Sequence, residues 1–400
     1  MWQKIKNYYH LLQAIAAAIY FGFPSKKLTV IGVTGTDGKT TAVSMIYHIL
    51  KATGYKTSMI SSVSAIIGNK TFDTGLHVTT PGPFAIQRFL KNAIRQGSRH
   101  FVLEVTSHGL DQNRLSFVKF TAAVLTNISR EHLDYHKSFI DYMKAKGELF
   151  QNVNFSILNL DDQSFNFFKK IATGKKLTYG TGLNADFNPS NFPINLKIPG
   201  NYNLRNALAA AATATALGIS KKDIIKALST FKTPKGRMQE VDLGQKFKVY
   251  IDFAHTVNGL ENALKSLDSI RTSKSTRIIS VFGSAGERDQ RKRPNMGKVA
   301  AQYCNISILT AEDPRSESVN DICRQIAKGL IKAGKKINRD FYIIPNRRDA
   351  IDYATKIAKS DDVIALFGKG HEKSMSINGN ELPWDEEAET IRAIKRRLNS

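Results

Sequence analysis

The chain has 400 residues, 42% of them hydrophobic and 23% charged, which suits two ordinary domains with their own cores and excludes a disordered chain. No apolar run reaches the ~20 residues that a bilayer span needs. The two cysteines, Cys304 and Cys323, argue against a disulfide framework or a zinc site and for a reducing cytoplasm. The formal net charge of +24 fits either a lysine-rich solvated surface or attraction of polyanionic small molecules such as nucleotides. Scattered Lys and Arg without interleaved aromatics argue against nucleic acid as a partner.

Residues 11–23 are apolar and follow Lys4, Lys6 and His10. No small-residue cleavage site follows them, so they predict an N-terminal helix docked on the first domain rather than a signal sequence; the alternative is an interfacial membrane helix. Stable membrane insertion is not expected. Residues 28–33 are apolar and β-branched, as a buried parallel strand requires. Residues 40–50 then show one apolar helical face. Between them Gly35, Thr36, Asp37, Gly38, Lys39, Thr40 and Thr41 form a glycine turn, whose backbone N–H groups suit an anion. Lys39 adds a charge for terminal phosphates and the Thr40 hydroxyl is placed to meet Mg²⁺. Val33 stands where the strict Walker spacing has glycine.

Further strands are predicted at 101–105, 122–125 and 156–158, then at 248–251, 277–282, 306–309, 342–344 and 363–367. Helical runs lie at 206–217 and 221–231. Such alternation predicts an α/β protein with parallel sheets wrapped by helices. Thr233, Pro234, Lys235 and Gly236 mark a linker. The expected organisation is an N-terminal helical segment over 1–26, an ATP-binding domain over 27–233 and a second α/β domain over 234–400. Two such lobes leave a cleft, where ligands usually sit.

Glu104 ends the strand 101–105, where a P-loop enzyme needs a second Mg²⁺ anchor; the structural alternative is a satisfied acid at a strand end. His132 follows the strand 122–125, and Lys146 lies further on. These motifs carry a resemblance. Residues 34–41 (TGTDGKTT), 104–110 (EVTSHGL) and 126–136 (TNISREHLDYH) resemble the Mur ligases. So do 236–238 (GRM), 252–256 (DFAHT), 282–289 (FGSAGERD), 292–294 (KRP), 312–315 (EDPR) and 368–372 (GKGHE), in order. The likeness covers about residues 27–390 and is nearest to the branch that adds the third amino acid of the peptidoglycan stem.

The resemblance implies a central P-loop ATPase domain followed by a Rossmann-like C-terminal domain. It also implies an ATP- and Mg²⁺-dependent amide ligase acting in the cytoplasm through an acyl phosphate. Lys39, Glu104, His132 and Lys146 would be catalytic, with Thr40, Glu104, His132 and a carbamylated Lys146 holding metal. Asn206, Arg237, Asp252 and His255 would join the glycine turn in binding ATP. Thr79, Thr80, Thr106, Gln112 and Arg114 would bind the acceptor, UDP-MurNAc-L-Ala-D-Glu or a related precursor. Arg288, Glu312, Asp313, Pro314, Arg315, Gly368 and Glu372 would bind the amino acid. Arg315 resembles the pattern for meso-diaminopimelate, whose distal carboxylate a guanidinium pairs with; L-lysine is the alternative. The chain departs from the family in two ways. The N-terminal domain that grips uridine is expected to be missing, which leaves room for a partner chain or for another carboxylate acceptor, as in the folylpolyglutamate synthetases. Glu312 and Asp313 also replace the usual Asp-Asn.

Overall fold

The apolar run ahead of the glycine turn forms β1 (Thr29–Thr34), buried from Val30 onward. It lies in the first of two units, residues 1–197 with 202–232; the second holds 198–201 and 233–400. The computed structural model describes residues 2–72, 79–129, 135–271, 273 and 275–399.

In chain order the first unit carries α1 (Trp2–Phe21), β1, α2 (Lys39–Ala52), β2 (Thr57–Ile60), β3 (Ala65–Ile67) and β4 (Lys70–Phe72). Then come α3 (Pro83–Arg95), β5 (His100–Glu104), α4 (Ser107–Asp111), β6 (Ala122–Leu125), α5 (Phe139–Gly147), β7 (Phe155–Asn159), α6 (Phe165–Ile171) and β8 (Lys175–Tyr179). The helices α7 (Asn201–Ala216) and α8 (Lys221–Ser229) follow. Among the described residues eight strands form one sheet in the order β4-β3-β2-β5-β1-β6-β7-β8. Pairing is parallel from β2 through β8, and β3 and β4 fold back antiparallel at one edge. Central strands buried on both faces explain why β1, β5 and β6 read as unbroken apolar runs. Their core includes Val30, Phe101, Leu103, Leu125, Tyr142 and Leu149. Helix α1 packs on α3, turning the small buried residues Ala14, Ala17 and Ala18 inward.

The second unit carries β9 (Gln239–Glu240), β10 (Lys248–Asp252), α9 (Val257–Ser269), β11 (Ile278–Phe282), α10 (Lys292–Tyr303), β12 (Ile306–Leu309) and α11 (Val319–Lys332). After them come β13 (Phe341–Ile343), α12 (Arg347–Ile357), β14 (Val363–Phe367), β15 (Ser374–Ile377), β16 (Asn380–Pro383) and α13 (Glu386–Leu398). Its sheet runs β13-β12-β11-β14-β10-β9, parallel except for the β10–β9 pair, and β15 and β16 form a separate hairpin. The order doubles back around β14, the kind of reversal beside which α/β sheets bind ligands. A fully buried ion pair, Arg347 with Glu386, ties α12 to α13 at 2.5 Å. Arg347 also donates to the carbonyls of Ala311 and Phe367, at 3.0 and 2.8 Å, and Trp384 Nε1 donates to Glu386 at 2.7 Å. The pair is therefore hydrogen-bonded on every side, the condition under which buried charges are tolerated.

Candidate active site

The turn between β1 and α2 is held open by what surrounds it. Gly35 and Gly38 take φ values of 151° and 81°. A Cβ on Gly35 would collide with Thr126 Oγ1, and one on Gly38 would come within 2.5 Å of Asn206 Oδ1. Neither position tolerates a side chain. Asn127, just past β6, fixes the loop: its carbonyl accepts from Thr36 N at 2.8 Å and its Oδ1 from Asp37 N at 3.0 Å. Thr126 Oγ1 and Asn127 Nδ2 donate to Asp37 O at 2.7 and 3.0 Å. Gly38 caps α2 without a side-chain acceptor, so the first N–H groups of α2 and its positive end face outward for an anion. Lys39 Nζ donates to Thr36 O at 2.8 Å, within the turn.

Three oxygen groups meet beside it. Thr40 Oγ1 donates to Glu104 Oε2 at 2.9 Å and lies 2.8 Å from Ser62 Oγ, while Ser62 N donates to the same Glu104 oxygen at 2.8 Å. Glu104 is placed by register, being paired with Val33 at the end of β5. Two hydroxyls and one carboxylate, all oxygen donors, suit Mg²⁺ shared with phosphate oxygens and water. Among the described residues no group of three or more His, Cys, Asp and Glu side chains is arranged to hold a metal.

Lys146, near the end of α5, is only 2% exposed. Its Nζ donates to Gly35 O at 2.7 Å and lies 4.7 Å from the centre of the Tyr142 ring. Burial and then the nearby Lys39 push its pKa well below the ordinary lysine value, against the pull of Asp37 and Glu104. A neutral amine is thus far more accessible here than on a surface lysine.

Thr80, Thr106, Gln112 and Arg114 form one network. Thr80 Oγ1 lies 2.9 Å from Thr106 Oγ1, and Thr106 caps α4 through Gly109 N. Arg114 donates to Thr80 O at 2.8 Å and to Gln112 Oε1 through Nε and Nη2, at 2.9 and 2.6 Å. Burial lowers the Arg114 pKa. Gln112 donates to Tyr135 OH, which donates to Asp111 Oδ2 at 2.6 Å; burial foremost pushes the Tyr135 phenol up to about 12. Thr79 is half-buried beside Thr80, and Thr41 is buried in α2. Asn206, 4% exposed, is brought from α7 to Gly38, and its Nδ2 has no hydrogen-bond partner. A buried amide donor left unpaired is costly unless a ligand meets it. His132 lies outside the described residues.

In the second unit, Arg237, Asp252 and His255 gather where β10 ends. The Asp252 carboxylate accepts from Met238 N at 2.7 Å and Ala254 N at 2.8 Å. The Arg237 guanidinium sits 4.5 Å from the centre of the Phe253 ring, and His255 packs on the same ring at 4.7 Å. Arg288 is exposed in the loop after β11. Past β12 the chain is pinned by Lys369, fully buried, whose Nζ reaches Asp313 Oδ1 at 2.8 Å and Glu372 Oε2 at 2.6 Å. Asp313 also accepts from Ser376 N at 2.9 Å. Arg315 holds φ 54° with its N–H bonded to Ser376 O at 2.9 Å. Glu312, beneath Gly368, is 5% exposed with Oε2 unpaired. Burial drives its pKa up to about 7 despite Lys292, Lys369 and Arg347.

Residues 33–214 match the Mur ligase middle domain and residues 236–370 the Mur ligase glutamate ligase domain. A UDP-N-acetylmuramoyl-L-alanyl-D-glutamate--2,6-diaminopimelate ligase of Caldanaerobacter subterraneus subsp. tengcongensis is 37% identical over 389 residues, 92% of this chain and 79% of that protein. The chain belongs to the Mur ligase family. A UDP-N-acetylmuramyl-tripeptide synthetase of Borrelia garinii subsp. bavariensis is 38% identical to this Mur ligase over 94% of the chain and 78% of its own length. Among solved structures, a UDP-N-acetylmuramoyl-L-alanyl-D-glutamate--2,6-diaminopimelate ligase aligns with TM-score 0.62 at 28% identity, over 93% of this chain and 79% of the other. A folylpolyglutamate synthase of Mycobacterium tuberculosis aligns at 0.70 but 16% identity, over 90% of this chain and 92% of its own, and shows the shared fold alone.

Four residues around these two clusters are not among the site residues that the sequence of this Mur ligase points to. Ser62 follows a four-residue strand with no signature of its own. Asn127 is inside a quoted motif, yet only the fold shows it bracing the turn. Tyr142 touches both Lys146 and, at 3.0 Å, Thr36 Oγ1. Lys369 was legible as the lysine of GKGHE, but its two carboxylate partners lie 56 and 3 residues away.

Proposed function

We propose that this Mur ligase uses ATP to join meso-diaminopimelate to the D-glutamyl carboxylate of UDP-MurNAc-L-Ala-D-Glu in peptidoglycan synthesis. The observation that carries this reading is the convergence of Thr40, Ser62, Glu104 and Lys146 on a glycine turn built to hold phosphate. The relatives named for that ligation support the substrates. Arg315 supports diaminopimelate, because its guanidinium suits a distal carboxylate that lysine lacks. Free buried thiols at Cys304 and Cys323 support a reducing, cytoplasmic setting.

In this reading the N–H groups at the start of α2 and Lys39 hold the ATP phosphates, and Asn206 Nδ2 meets the nucleotide. An acceptor carboxylate oxygen bonds to the γ-phosphorus while the bond to ADP breaks. The neutral amine of the incoming amino acid then bonds to the acyl carbon, phosphate leaves with the electron pair, and the amine loses its proton to solvent. Thr40, Ser62 and Glu104 would hold Mg²⁺, which when bound neutralises the charge of the phosphates. The neutral Lys146 amine can bond to the carbon of CO₂ and lose a proton, giving a carbamate and a further anionic oxygen donor. Arg114 and Thr80 would face the acceptor's anionic groups.

The test is phosphate release from ATP, with product detection, over a matrix of acceptors and amino acids each omitted in turn. Turnover that requires both the muramyl dipeptide nucleotide and diaminopimelate is expected. Turnover with a folate acceptor and not with the muramyl nucleotide would overturn the reading, as would a lack of acceptor dependence.

A further inference from the structure

Helix α1 is turned inside out for a surface helix. Its buried positions are alanines, Ala14, Ala17 and Ala18. Its exposed positions from Tyr8 onward are Tyr8, Tyr9, Leu12, Ile15, Ala16, Ile19 and Tyr20, without one charged side chain. Leu12 is 50% exposed, Ile19 65% and Tyr20 78%. A solvent-facing helix normally shows the reverse pattern, and a contiguous apolar stripe of this kind marks an interaction surface. The stripe spans residues 8–20, roughly 18 Å at 1.5 Å per residue.

The apolar surface continues beyond the helix. Phe117, 47% exposed, packs edge-on to Phe23 at 6.5 Å, and Lys119 N and the Phe117 carbonyl are both tied to Ser25 Oγ. Lys26, Lys27 and Lys119 are exposed around this end, and Lys6 is exposed at the other. The chain has no acidic residue before Asp37. Asp111, from α4, is bound to Asn7 of this helix and to Tyr135.

We infer that the outer face of α1, with Phe117 and its flanking lysines, adsorbs this Mur ligase onto an anionic lipid bilayer surface, lying in the interface without crossing it. No helix among the described residues is long and apolar enough to cross a membrane. The distribution matches an interfacial helix: tyrosines at both ends of an aliphatic middle, with lysines reaching for headgroups. The same pattern disfavours a second copy of this chain, because a two-fold pairing of α1 would set lysines against lysines in either helix orientation, and residues 1–36 carry no acid of their own to meet them. Asn7 Nδ2 donates to Asp111 Oδ2, so the adsorbed helix is wired through Tyr135 and Gln112 to Arg114.

The test is cosedimentation of the full chain with vesicles of phosphatidylcholine alone and of phosphatidylcholine mixed with phosphatidylglycerol. Binding only to the mixed vesicles, weakening as salt rises, is expected. The double variant Leu12→Ser/Ile19→Ser should lose about tenfold or more in vesicle affinity, with its melting temperature and ATP turnover kept. Since Cys304 and Cys323 are buried, an Ile19→Cys variant can carry a polarity-sensitive dye selectively, and its emission should shift to the blue on adding mixed vesicles. No binding of the wild-type chain to mixed vesicles at low salt would overturn the inference. So would binding indifferent to the Leu12 and Ile19 changes, an unshifted dye, or concentration-dependent dimerisation that the double variant abolishes.

Discussion

Thr40 Oγ1 donates to Glu104 Oε2 at 2.9 Å, joining the first turn of α2 to the last residue of β5 across 64 residues of chain. The contact exists because β5 pairs with β1 in a register that sets Glu104 opposite Val33, one residue short of the glycine turn. Ser62 N shares the same carboxylate oxygen, so the carboxylate is oriented before any ligand arrives. A preoriented charge costs no reorganisation when phosphate charge builds up.

Replacing that charge while keeping an acceptor separates structure from chemistry. Glu104→Gln retains an oxygen for Thr40 and Ser62, so its stability should fall by no more than about 1 kcal/mol. ATP turnover should drop about a hundredfold or more. Thermal melting and phosphate release on the same preparation check both; a variant with near wild-type turnover would remove Glu104 from the site.

Lys146 offers a second separation. Its Nζ is buried against Gly35 O with a pKa well below the ordinary value. Between its lowered folded value and the ordinary lysine value the unfolded chain therefore binds more protons than the folded one, and stability rises with pH across that window. Lys146→Met removes this slope and should be no less stable than wild type near neutral pH. Its ligation should fall about a hundredfold, and Lys146→Ala should recover part of it with added formate or acetate. Full activity of the alanine variant without supplement would refute the carbamate, and a ¹³CO₂ NMR signal lost in either variant would support it.

How much of this was legible in the sequence follows from physical range. The strands predicted at 101–105, 122–125, 248–251 and 363–367 lie within a residue of β5, β6, β10 and β14, because central parallel strands must be apolar on both faces. The three-residue β3 and the exposed edge strands β4 and β8 carry no such run, and the sequence does not predict them. The glycine turn was readable because phosphate binding fixes both residue type and spacing. The bracing of that turn by Asn127 and Ser62 was not, since those contacts depend on strand order, which local sequence does not encode. The α1 docking surface was half readable: the helix showed in the apolar run, but its alanine face being the buried one shows only in the fold.

Arg315 sits in a left-handed backbone conformation locked by Ser376 and Asn378, whose N–H donates to Arg315 O at 2.6 Å. The loop therefore holds its shape independently of the guanidinium. Arg315→Ala should raise KM for diaminopimelate about tenfold or more, the loss of one charged hydrogen-bonded pair, while any use of lysine stays unchanged. Steady-state kinetics with both amino acids decides it; equal loss for both would assign Arg315 a structural role.

In the proposed function Glu312 should make the amino-acid step sensitive to pH, in a direction set by its raised pKa. Buried beneath Gly368 with Oε2 unpaired, its carboxyl ionises at about 7 instead of 4.5. Below that pH it is neutral; above it, the carboxylate can receive the ammonium group that both diaminopimelate and lysine carry. KM for the amino acid should therefore fall as pH rises through about 7, and Glu312→Gln should flatten that profile. Stability moves the opposite way. A carboxyl whose folded pKa is raised stabilises the fold only while protonated, so wild type loses stability between the unfolded and folded values. Glu312→Gln should melt above wild type at pH 8 and near it at pH 5. Asp313 is already committed through Oδ1 to Lys369 and Ser376. A KM profile for the glutamine variant that keeps its inflection near 7 would move the titrating group elsewhere.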